Sequence, residues 1–191
     1  MFDRYMNITK TLYATDRKAW REWLRKNYLK EKEIWLVYYR KEAGKLRISY
    51  NDAVEEALCF GWIDSTVKKL DNECFVQKYT PRNHKSDYSQ ANKERLKRLI
   101  TEGKVRKDVL ASMGDIVPEN FIFPADIMKM LRANLRAHEN FKKYSAPYQR
   151  IRIAYIDRAR QRPQEFRKRL NNFLKLTEQG KQFGYDIESY F

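Results

Sequence analysis

Residues 62 to 82 read WIDSTVKKLDNECFVQKYTPR, and the fold turns on how this stretch is read. Two extended runs rich in β-branched and aromatic residues flank Asp71 and Asn72, a pair suited to a tight turn, so the spacing predicts a β-hairpin. If Leu70 pairs with Glu73, then Lys68 falls opposite Phe75, Thr66 opposite Gln77 and Asp64 opposite Tyr79, all on one face. The other face then holds Ile63, Val67, Cys74 and Val76. One side is apolar, and the other carries a row of hydrogen-bonding groups led by Asp64. A slip of one residue would exchange the two sides.

Upstream of the hairpin, NDAVEEAL predicts a short helix, with Ser49 or Asn51 as its cap and Gly61 as its terminator. EIWLVYYRK predicts a strand, and LRISY a second one. Before them, Thr15 can cap a helix whose positive end suits Asp16 and whose Trp20, Trp23, Leu24 and Tyr28 share one face. Downstream, YSQANKERLKRLITE predicts a basic amphipathic helix over 88–102, followed by a short one near 105–113. The rest is helical, over about 125–143, 147–161 and 163–179, with Pro147 and Pro163 acceptable in first turns. GDIVPENFIFP, with two prolines, is the best boundary. The expected class is α+β: a small antiparallel sheet with a β-hairpin packed by helices, followed by an all-helical C-terminal lobe. The expected lobes are 1–117 and 118–191, forming one compact unit.

The 191 residues suffice for a real core, and a hydrophobic content of 42% with 14% aromatics excludes a disordered chain. No run of about 20 apolar residues is present to span a membrane, and the start lacks a leader-like apolar stretch, so the expected compartment is the cytoplasm. Cys59 and Cys74 lack zinc-site spacing and read as buried free thiols. Phosphate-loop, HExxH and GxSxG patterns are missing, so no cofactor or metal is expected. A net charge of +15 makes anionic partners possible. It concentrates in two regions: ten basic residues against two acids over 142–169, and nine against three over 82–107.

The chemistry-bearing groups gather around the hairpin. Trp62 and Asp64 enter it, Gln77 and Tyr79 leave it, and TPRNHKSDYSQAN follows with Arg82, Ser86, Ser89 and Asn92. An aspartate at the edge of an aromatic wall, with an arginine near it in sequence, can serve as a fixed acceptor in a ligand site. The same residues can equally form a structural ion pair between Asp64 and Arg82, with Ser86 or Ser89 capping a helix.

ISYNDAVEEALCFGWIDST followed by QKYTPRNHKSDYSQAN resembles the YdeI/OmpD-associated, or bacteriocin-protection, family of bacteria. The resemblance is carried by Ser49, Tyr50, Glu55, Glu56, Ala57, Leu58, Cys59, Gly61, Trp62, Ile63, Asp64, Ser65, Gln77, Tyr79, Pro81, Arg82, Ser86, Ser89 and Asn92, and PADIMKMLRANLRAHENFKKYSAPYQR is similar to its helical lobe. Tyr88 stands where the family usually has Trp, and Phe166 where it commonly has Thr. The likeness implies protection against bacteriocins or cationic antimicrobial peptides, without implying a reaction, substrate or cofactor. The resulting expectation is a small or anionic ligand near the hairpin. The alternatives are a scaffold or interaction protein, nucleic-acid binding through the basic helices, and an enzyme using Asp64 as general acid or base.

Overall fold

A computed structural model describes residues 8–83, 87–113 and 121–184. By internal packing the chain divides into two units, the first formed by residues 1–87 and 99–114 and the second by 88–98 and 115–191. The sequence reading placed 88–98 with the first lobe. These residues belong to the second unit, where Glu94 pairs with Arg150 and Ala91 packs on the cluster of Tyr148 and Ile151. The predicted connector lies mostly at 114–120, outside the described residues.

The first unit is built on four strands: β1 (Thr11–Tyr13), β2 (Ile34–Tyr39), β3 (Trp62–Lys69) and β4 (Cys74–Pro81), in the order β1-β2-β4-β3. β3, β4 and β2 are antiparallel, but β1 runs parallel to β2, so the sheet is mixed and not antiparallel throughout. The predicted LRISY strand does not form. Ile48 makes a backbone bond to Ala14, and Ser49 already serves as a helix cap.

α1 (Arg17–Asn27) is capped not by Thr15 but by Asp16, whose carboxylate accepts from the Ala19 N–H at 2.8 Å. α2 (Tyr50–Cys59) starts at Ser49, whose hydroxyl accepts from the Asp52 N–H. Gly61 ends the turn after α2 at φ +71°, and a side chain there would also meet Val109. These helices cover the side of the sheet that carries Ile34, Leu36, Tyr38 and Tyr79, with Trp20 5.3 Å from Tyr79 and Trp23 edge-on to Trp62. Burying one such ring contributes roughly 1.5–3 kcal/mol. The opposite side buries Trp35, Val37, Cys74 and Val76.

The hairpin register differs from the predicted one near its turn. Asp71 accepts from the N–H groups of both Glu73 and Cys74, which holds three residues in the loop in place of two. Lys69 therefore sits opposite Phe75 and Val67 opposite Gln77. A bulge between Asp64 and Val67 removes this offset, and Asp64 returns to its expected place opposite Tyr79. Val67 leaves the apolar side and is exposed, while Lys68 turns over the Trp35 ring at 4.9 Å.

α3 (Gln90–Thr101) is divided between the units, and α4 (Lys107–Met113) belongs to the first. The second unit adds α5 (Ala125–Ala133), α6 (Leu135–Lys142), α7 (Ala146–Asp157) and α8 (Pro163–Glu178). The single helix expected over 125–143 is broken at Asn134, whose side chain caps α6 by accepting from the Ala137 N–H. Ile127, Leu131, Phe141, Ile153, Ile156 and Phe173 form this unit's core.

Candidate functional site around Asp64

Asp64 is half-buried on β3, facing the helix-covered side. Its Oδ2 accepts from the Tyr50 hydroxyl at 2.8 Å and from Gln77 Nε2 at 2.9 Å. Gln77 is delivered by the next strand, and Tyr50 by the first turn of α2. Oδ1 accepts from no described residue, which leaves a carboxylate oriented by two neutral donors with one oxygen open.

Behind it lies a pair of buried phenols. Tyr38 and Tyr79 share a hydrogen bond of 3.0 Å, and burial pushes both well above the ordinary tyrosine range, with the Asp64 charge adding to the effect. Neither hydroxyl ionises at ordinary pH. Phe75 stacks on Tyr38 at 5.2 Å with 6° between the planes, and the exposed Arg47 guanidinium stands 5.8 Å from the Tyr38 ring and 5.9 Å from Phe75. Arg47 makes no ion pair among the described residues, and the Asp64 charge and the Arg47 charge both act on Tyr38, so a negative group, an aromatic pair and a cation lie around one ring.

The other predicted residues are distributed differently. Trp62 is 1% exposed, donates its indole N–H to the Tyr28 carbonyl and packs against Trp23; it belongs to the core. Tyr79 is fully buried. Neither ring walls an open site, because α1 and α2 cover the side of the sheet to which both point. Arg82 is held through its backbone N–H to the Gly61 carbonyl and is not among the hydrogen-bond partners of Asp64. Ser89 caps α3 by accepting from the Asn92 N–H, and the Asn92 side chain accepts from Arg95. Both lie in the second unit, whereas Asp64 lies in the first. Ser86 is outside the described residues.

Sequence reasoning missed two features. Tyr50 joins Asp64, with a signal in its place directly after a capping serine, and Arg47 stands beside the neighbouring Tyr38 and Phe75 rings. The second feature is an ion cluster between α1 and α2. Arg17 donates to Asp52, Glu55 and Glu56, and Arg21 donates to Glu56 and to the Lys104 carbonyl. Glu55 and Glu56 are nearly inaccessible, at 3% and 2% exposure. Cys59 lies beside this cluster, and burial pushes its thiol up to about 11. Among the described residues no group of three His, Cys, Asp or Glu could hold a metal.

Two family models match the chain. Residues 12–112, just over half of it, match a domain of unknown function, DUF8412. Residues 120–180 match the family described as Bacteriocin-protection, YdeI or OmpD-Associated. The likeness read from the sequence is thus shown for the C-terminal helical region, while the GWID and TPR motifs fall within the other model. No curated protein and no solved structure matches.

Proposed function

The chain belongs to the DUF8412 family through residues 12–112 and carries a YdeI/OmpD-associated bacteriocin-protection region after them, and on that premise we propose that the first unit binds a small polar ligand at Asp64. The observation that carries this reading is the half-satisfied carboxylate: Oδ2 takes two hydrogen bonds while Oδ1 is open. A fixed acceptor of this kind suits a donor group such as an ammonium or amide. Arg47, beyond the shelf of Phe75 and Tyr38, suits an acidic group at the other end of the ligand. An amino-acid-like zwitterion carries both.

The proposed role is binding. The phenols beside Asp64 are held neutral by burial, and no histidine stands among its hydrogen-bond partners. In a cell the ligand would connect the protein to stress or antimicrobial-peptide resistance in the cytoplasm. Among the described residues no helix is long and apolar enough to cross a membrane. A scaffold without a ligand is the second reading, supported by the burial of Trp62 and Tyr79. Nucleic-acid binding is less well supported, since Arg150, Arg160 and Arg169 of the basic region are engaged by Glu94, Asp126 and Glu165.

The test is thermal unfolding of the wild type, Asp64→Asn and Arg47→Ala against a panel of free amino acids and small amino-carboxylates. The expected result is a saturable rise in Tm for the wild type that both variants lose. Equal shifts in all three, or none in any, would leave the scaffold reading standing.

A further inference from the structure

Arg152, in the middle of α7, is only 8% exposed. Its guanidinium carbon lies 4.7 Å from the centroid of Phe183, 5.4 Å from Tyr148 and 6.0 Å from Tyr155. Tyr148 and Tyr155 stand about one turn to either side of it on the same helix, as helical spacing dictates. Phe183 arrives from the segment after α8 and is fixed there by its own N–H, which donates to the Tyr148 hydroxyl at 3.0 Å. Gly184 follows at φ +89°, where a Cβ would fall 2.1 Å from Arg152 Nη2, so glycine is what lets the main chain lie against the guanidinium.

Aromatic rings stabilise a guanidinium through its faces. They do not accept its five N–H groups, which radiate in its plane. The buried Arg152 Nε has no hydrogen-bond partner, and no carboxylate pairs with this side chain among the described residues. Its neighbours differ. Arg150 is forked onto Glu94, Arg160 onto Asp126, and Arg169 donates to Glu165 while lying 3.9 Å over the Tyr155 ring. A guanidinium with its buried Nε unpaired keeps the planar fork with which arginine takes carboxylate or phosphate.

We propose that Arg152 anchors a small-oxyanion site in the helical unit, where a carboxylate or phosphate group takes the in-plane N–H edge while Tyr148, Tyr155 and Phe183 hold the faces. The site is independent of Asp64. Burial lowers the Arg152 pKa, in keeping with a cation that has no counterion among the described residues. A bound oxyanion supplies that counterion and stabilises the folded unit by mass action.

The test is thermal unfolding of the full chain with inorganic phosphate or with acetate, each compared with chloride at equal ionic strength. The expected result is a saturable rise of at least about 2 °C beyond the chloride control for one of the two oxyanions, which also identifies the preferred group. Arg152→Met should lose the response, and Arg152→Lys, which keeps the charge but lacks the fork, should need roughly tenfold more oxyanion. In the wild type, the Arg152 Nε–Hε NMR signal should move saturably over the same concentrations. This last readout needs no variant to fold. A phosphate and acetate response equal to that of chloride, a wild-type response in Arg152→Met, or an Nε–Hε signal that does not move would overturn the proposal and leave the cage as a cation–π clip for Phe183.

Discussion

Glu56 and Asp64 are two carboxylates of the same unit, and their surroundings separate them. Glu56 gives each of its oxygens to a different arginine, Arg17 and Arg21, at the interface of two helices. Asp64 meets two neutral donors, both on one oxygen, and keeps the other open. Full pairing of a buried charge locks helix against helix, and removing a partner strands the opposite charge. Partial pairing by neutral groups orients a carboxylate without using it up. The first arrangement serves the fold, and the second is the one proposed to serve a ligand.

A large effect is expected from breaking this comparison at Glu56. Glu56→Ala leaves Arg17 and Arg21 without their shared acceptor and should cost about 3 kcal/mol or more in urea unfolding. Trp62→Ala should cost roughly 3–5 kcal/mol in the same measurement, because it empties a site in the core. A loss below about 1 kcal/mol would restore Trp62 as a site wall. Cys59 sharpens the contrast without mutation. With its thiol pushed up to about 11 by burial, it should resist disulfide reagents in the native state and react on unfolding, as followed by absorbance.

The smallest expected effect lies in the second unit. The Arg160 guanidinium beside Asp126 holds that carboxyl down at about 2, below its ordinary 3.8. A depressed folded pKa contributes stability that is present above the ordinary value and disappears as pH falls from about 4 towards 2. Because the pair is exposed, the contribution should stay below about 1 kcal/mol. Asp126→Asn should therefore flatten the acid limb of stability against pH only slightly.

Much of this architecture was legible in the sequence for local reasons. Ser49 announces its helix through capping chemistry, the cap of α1 falls on Asp16, one residue after the expected Thr15, and alternation in the hairpin placed Asp64 opposite Tyr79. The route to that pairing was wrong. Asp71 as a side-chain acceptor lengthens the loop, and a bulge whose composition gives no signal cancels the shift. β1 escaped notice because three residues carry no period and its partner is remote in sequence. Trp62 and Tyr79 were read as a wall because alternation tells one side of a strand from the other but not which side helices will cover. The Arg17 and Glu56 cluster is a tertiary pairing of two helix faces, and each face alone reads as an ordinary charged exterior. Arg47 has no motif; only the packing of the strand residues Tyr38 and Phe75 brings it to the site.

Denaturant unfolding of Asp64→Asn tests the contrast between the two carboxylates most directly and needs no ligand. The expected unfolding free energy lies within about 1 kcal/mol of wild type, or above it, since residues held for binding are seldom optimal for stability. A loss of about 3 kcal/mol, matching Glu56→Ala, would contradict the account and make Asp64 a structural acid.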